Sequence, residues 1–85
     1  MNTQADIDMI CKQRGLPKIK KGSRCEVDGR PGKIVGINHS ANFNVVFEGE
    51  KHKTNCHPYY LMKIWDKAGE VIYVSDDLKA KEGKA

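Results

Sequence analysis

Between Lys20 and Phe47 the chain carries three short apolar-alternating runs separated by turn-forming residues. Cys25 to Val27 and Ile34 to Ile37 flank Asp28-Gly29-Arg30-Pro31-Gly32, and Phe43 to Phe47 follows the polar loop 38–42. Alternation with period two places every second side chain on one face of a strand, and Asp-Gly is a strong two-residue hairpin signal. This stretch therefore has to be an antiparallel sheet with one face buried. Pro31-Gly32 is expected to lengthen the first turn and add a bulge, and Gly36 to let the second strand bend.

The remaining elements follow from local signals. Thr3 is the N-cap of a helix over residues 3–14, with Asp6 as the partner of a capping box. Ile7, Ile10, Cys11 and Arg14 share one stripe, Gly15 supplies a left-handed C′ position, and Pro17 stops the helix. Eleven or twelve residues do not hold a helix alone, so it must dock on the sheet through Ile7, Met9 or Ile10. Residues 51–57 read as a polar edge strand or long loop ended by Pro58. Tyr59 to Trp65 and Glu70 to Val74 are the last two strands, with Trp65 in the core. The resulting division is a helix in residues 1–17, a curled sheet closing into a small barrel in 18–74, and a flexible charged tail in 75–85. The fold class is mainly β, with five to six short antiparallel strands.

Composition narrows the function classes. A chain of 85 residues buries too little surface for a deep enclosed cleft. There is no triad, paired-carboxylate cleft or Walker-type glycine loop, so no enzymatic activity and no cofactor are expected. Cys11, Cys25 and Cys56 are odd in number and far apart, which suggests neither a disulfide framework nor a standard zinc site. Adjacent Cys56 and His57 point to opposite faces of a strand and cannot act as a nucleophile–base pair. Without a leader-like or membrane-spanning apolar run, a cytoplasmic monomer is expected.

The +4 net charge is concentrated. Residues 12–33 hold Lys12, Arg14, Lys18, Lys20, Lys21, Arg24, Arg30 and Lys33 against only Glu26 and Asp28. Such a segment is an electrostatic footprint for polyanions.

Residues 21–27 followed by Gly29-Arg30-Pro31-Gly32-Lys33-Ile34 resemble the KOW-type, SH3-like small barrels, in which a Gly-led first strand precedes a G-x-x-G turn and an aliphatic-led strand. Residues 43–49 are similar to the third strand and turn of KOW and Tudor barrels. The chain also resembles small SH3-like proteins encoded in phages and prophages, through Gly15-Leu16-Pro17, residues 22–34 and Cys56-His57-Pro58-Tyr59-Tyr60. Cys25 stands where those proteins more often have Val. The resemblance implies a barrel whose early loops contact RNA, DNA or a transcription factor, which brings in Arg24, Arg30 and Lys33.

Two functions follow as expectations. The first is a nucleic-acid-binding module in transcription or phage regulation. Lys18, Lys20, Lys21, Arg24, Arg30 and Lys33 would meet phosphates, and Tyr59 or Tyr60 would stack a base. The second is an adaptor, such as a phage-encoded modulator of a host protein. Its basic segment would face an acidic partner, and residues 51–56 would offer an edge for strand addition.

Overall fold

The computed structural model describes residues 2–82. Their order is α1 (Gln4–Arg14), β1 (Arg24–Val27), β2 (Arg30–Ile37), β3 (Phe43–Phe47), β4 (Thr54–Cys56), β5 (Met62–Trp65), β6 (Val71–Val74) and α2 (Asp76–Glu82). Among the described residues no helix is long and apolar enough to cross a membrane.

Helix α1 begins and ends on the residues that its sequence designates. Thr3 and Asp6 form the reciprocal capping box, satisfying orphan N–H groups of the first turn. At the other end Gly15 takes φ 69°, which glycine adopts without strain. The Leu16 N–H then donates to the Cys11 carbonyl at 2.8 Å, and the Gly15 N–H turns back to Lys12, the Schellman pair. Ile7, Ile10 and Cys11 are buried, whereas Met9 is 55 % exposed and takes no part in docking. Full burial of an aliphatic side chain such as Ile7 contributes about 1.5–3 kcal/mol, so the stripe fixes the helix on the sheet.

All six strands belong to one antiparallel sheet, in the order β4-β3-β2-β1-β5-β6. The β1–β2 connection is tighter than the sequence suggests. Asp28 and Gly29 both adopt positive φ (52° and 81°), and Val27 pairs directly with Arg30. This is a two-residue turn, so Arg30, Pro31 and Gly32 are strand residues and not part of a widened loop. Gly32 is required by packing: a Cβ there would lie 2.8 Å from Val45 Cγ1 and 2.9 Å from the Val46 carbonyl oxygen. The bend of β2 occurs further on, where the register against β3 shifts between Ile34 and Gly36.

The sheet is curled without being closed. Its edges, β4 and β6, lie five strand spacings apart along the sheet, or about 24 Å if it were flat. Yet the Tyr73 hydroxyl of β6 donates to the carbonyl of Pro58, two residues beyond β4, at 2.8 Å. Among the described residues a side-chain hydrogen bond, and not a ladder, links the two ends. The expected barrel closure fails because β4 is three residues long and runs into Pro58, which has no N–H to donate. Helix α1 packs on the inner face of the sheet, against β2. The core then comprises Ile7, Ile10, Cys11 and Ile19 from the N-terminal segment with Ile34, Phe43, Val45, Met62 and Ile64 from the sheet.

Three further local expectations are corrected. Tyr59 and Tyr60 lie in a turn, and the fifth strand starts only at Met62. Trp65 is half-buried on the outer face and lies outside the core. The charged stretch after Ser75 forms α2 over residues 76–82 where a frayed tail was expected, and residues 83–85 lie outside the described residues. α2 buries no side chain; Asp77 anchors it by accepting the Leu61 N–H on both carboxylate oxygens and the Ser75 hydroxyl.

Arg14 ties the end of α1 to the loop that follows β2. It donates to the carbonyls of Ala41 (2.8 Å) and Ser40 (3.3 Å) and to Asn42 Oδ1 (3.2 Å), all in the β2–β3 loop. Arg14→Met is therefore expected to lower stability by about 2 kcal/mol, since hydrogen bonds from a charged donor contribute about 1.5–3 kcal/mol. Urea denaturation measures this; exposed Lys12→Met should change it by less than about 0.5 kcal/mol. Equal effects of the two substitutions would remove Arg14 from this role.

Candidate functional site

The pleat that buries Cys25, Val27, Ile34 and Ile64 turns their neighbours outward. Lys33 is paired with Val46 on one side and with Arg24 on the other. Cys25 is paired with Ile64, which brings Trp65 beside Arg24. The outer face thus carries a lateral row Val46–Lys33–Arg24–Trp65 across four strands. Arg24 lies over the Trp65 ring at 4.6 Å from its centroid, and the Lys63 ammonium lies 5.8 Å from it. These are cation–π distances, and they tie the indole to both cations.

The row continues into the connector. Arg24 and Trp65 line a shallow concavity with Ser23, Asp66 and Lys67. Those last three also line the adjoining concavity that holds Lys18 and Lys20. On its other side Arg24 shares a concavity with Lys33, Val46 and Phe47. A continuous shallow track therefore runs past Lys18, Lys20, Lys67, Arg24 with Trp65, and Lys33. Of the carboxylates along it, Asp66 Oδ1 accepts the Ala68 and Glu70 N–H groups, Glu26 lies 3.9 Å from Arg24 and Glu50 pairs with Arg30, while exposed Glu48 makes no ion pair among the described residues. Among the described residues Lys18, Lys20, Lys33 and Lys67 make no ion pair, which leaves their charge for a ligand.

The other residues singled out by sequence lie elsewhere. The Lys21 N–H donates to Gln4 Oε1, tethering the connector to α1, while its side chain is solvated. Arg30 lies over Phe47 at 4.2 Å and pairs with Glu50. Tyr59 is a structural residue: its hydroxyl donates to the Arg14 carbonyl at 2.7 Å, and the Arg14 guanidinium lies 5.4 Å from its ring. Tyr60 is 52 % exposed and lines a different groove with Arg30. Lys67 and Trp65 are the track residues that sequence reasoning missed. The signal available for Trp65 was its period-two offset from buried Ile64; Lys67 reaches the track only through the β5–β6 turn.

The cysteines offer no reactive group. All three are buried and unpaired, and burial raises each thiol above its ordinary value, Cys25 up to about 12. His57 Nδ1 accepts the Tyr59 N–H at 3.0 Å, just beyond the end of β4. Among the described residues no three His, Cys, Asp or Glu side chains converge to hold a metal ion.

No protein-family model matches this chain, and neither a curated protein nor a solved structure matches it.

Burial of the thiols gives a pH dependence. A group whose folded pKa is raised stabilises the fold below its unfolded pKa and loses that contribution as pH rises through the folded value. For Cys25 the window runs from the ordinary 9.0 to about 12, and Tyr73 moves in the same direction, from 10.0 to about 12. Stability measured by urea unfolding should fall through this range, by about 4 kcal/mol at pH 12 from Cys25 alone. Cys25→Val should flatten the decline; an unchanged profile would show that the thiol does not control it.

Proposed function

We propose that this chain is an SH3-like module of the KOW type that binds single-stranded nucleic acid on the outer face of its sheet. The observation that carries the reading is the row Lys33–Arg24–Trp65, extended by Lys18, Lys20 and Lys67. A shallow cationic track with an aromatic platform suits a chain of phosphates with unstacked bases, since cations follow the backbone and any base can stack on a ring. The guanidinium of Arg24 enlarges the platform, because its plane also stacks on bases. Its side chain is 65 % exposed and its contact with Glu26 is long, so it can slide along the indole to admit a base. A rigid duplex would hide its bases from Trp65. The Gly29–Gly32 segment of the resemblance fits this reading by setting the hairpin that places Lys33 opposite Arg24.

Trp65 is the sole tryptophan, so it reports binding directly. Titration with decathymidylate or decauridylate at low salt should quench its fluorescence, and affinity should fall steeply with added salt as counterions are released. Trp65→Phe should preserve most of the affinity and Trp65→Ala should lower it about tenfold or more, since one base stacked is worth about 1–3 kcal/mol. The Arg24→Glu, Lys33→Glu double variant should abolish binding, and Tyr59→Phe should leave it unchanged. Absence of quenching at low salt, or binding that survives the double reversal, would overturn the assignment.

A further inference from the structure

A separate groove of about 450 Å³ follows β4 along the edge of the sheet. It meets the track described above only at Phe47. Buried Val27, Phe47 and Cys56 form its apolar floor, and Arg30 and Tyr60 stand at its sides. Tyr60 is half exposed, and among the described residues its hydroxyl has no hydrogen-bond partner. The Arg30 guanidinium donates to Glu50 through one nitrogen, which leaves further donors of its fork free. Asp28, the carboxylate in the lining, is taken up by Lys81 at 3.3 Å. Tyrosine and arginine over an apolar floor are the residue types that carry most of the energy in protein interfaces.

β4 pairs with β3 alone, so its other side presents a row of backbone N–H and C=O groups. Immediately before it stand exposed Lys51, His52 and Lys53, and among the described residues neither lysine forms an ion pair. Like charge at an edge keeps two copies of this chain from pairing. The same charge attracts a strand that carries carboxylates. A nucleic acid has no alternating N–H and C=O groups to satisfy a strand edge, whereas an extended peptide has them at the right spacing.

From these features we infer that the β4 edge docks an extended acidic segment of a partner protein. The segment adds a strand to β4, lays an apolar side chain against Phe47 and Tyr60, and pairs its carboxylates with Arg30, Lys51 and Lys53. This surface is independent of the nucleic-acid track, and either function stands without the other.

The test is an NMR titration of the isotope-labelled full chain with a capped octapeptide alternating valine and glutamate. Its valine–lysine counterpart and decathymidylate serve as the other two probes. The glutamate peptide should shift the amides of Thr54, Asn55, Cys56 and Tyr60 and slow hydrogen exchange along β4. The lysine peptide should do neither. Tyr60→Ala and, separately, Lys53→Glu should each weaken peptide binding roughly fivefold or more, while Trp65→Ala should leave it unchanged. Both substituted positions are exposed, and retained amide dispersion verifies the fold. Silence at millimolar glutamate peptide, equal binding of the lysine peptide, or shifts confined to Arg24, Lys33 and Trp65 would overturn the proposal. Shifts at Thr54 to Tyr60 with decathymidylate and not with the peptide would overturn it in favour of a nucleic-acid groove.

Discussion

The fold depends on the docking of α1 across a sheet that does not close on itself. A curled six-stranded sheet whose β4 and β6 edges do not pair has no second sheet among the described residues to cover its inner face. Ile7, Ile10 and Cys11 pack against the inner face of the sheet, and Ile19 on the following connector joins them in the core. Arg14 then fastens the helix end to the β2–β3 loop, while the Tyr59 hydroxyl accepts the task of satisfying the Arg14 carbonyl by donating to it. Eleven residues of helix are thus as necessary to the core as any strand. In a domain of this size there is no spare apolar surface to replace them.

Because α1 takes the inner face, the outer face of the sheet is left for chemistry. The half-buried and exposed positions of β1, β2, β3 and β5 lie there, and cross-strand register sorts them into rows. One row joins Lys33, Arg24 and Trp65; the next joins Pro31, Glu26 and Lys63. The first concentrates positive charge beside an aromatic ring, and the second balances its charges within itself and against Glu82. A shift of one residue in the β1–β2 register would exchange the two sets of faces and dissolve the first row. The tight Asp28-Gly29 turn and the absent Cβ of Gly32 fix that register.

The two sheet edges are treated differently. At β6 the Tyr73 hydroxyl bond to Pro58 and the helix α2 that follows occupy the strand end. At β4 no strand among the described residues pairs with the outward edge, and exposed Lys51 and Lys53 stand just before it. Charge of one sign protects selectively, against like surfaces and not against opposite ones. The chain thereby presents two surfaces of different character, a cationic–aromatic face and a cationic edge.

Local signals determined the elements whose bonds are local. The capping box at Thr3, the left-handed Gly15, the Ile7–Ile10–Cys11 stripe and the period-two runs of β1 to β3 were legible because each is closed by residues within a few positions. The helical turn at residues 76–82 was not, because Asp77 is anchored on Leu61 and Lys81 on Asp28, far away in sequence. Composition likewise marked the basic segment, yet it could not divide it. Lys18, Lys20, Arg24 and Lys33 join one track while Arg30 and Tyr60 face another groove, and Tyr59 is absorbed by α1. Trp65 and Lys67 entered the track only when β5 returned to pair with β1, across some forty residues of chain. The sequence by itself settled which faces are apolar and where turns and caps fall, since those follow from backbone and side-chain stereochemistry over short spans. Tertiary structure alone decided that the sheet stays open, which cations stand together and that the tryptophan faces outward, because each of these depends on the register of strands distant in the chain.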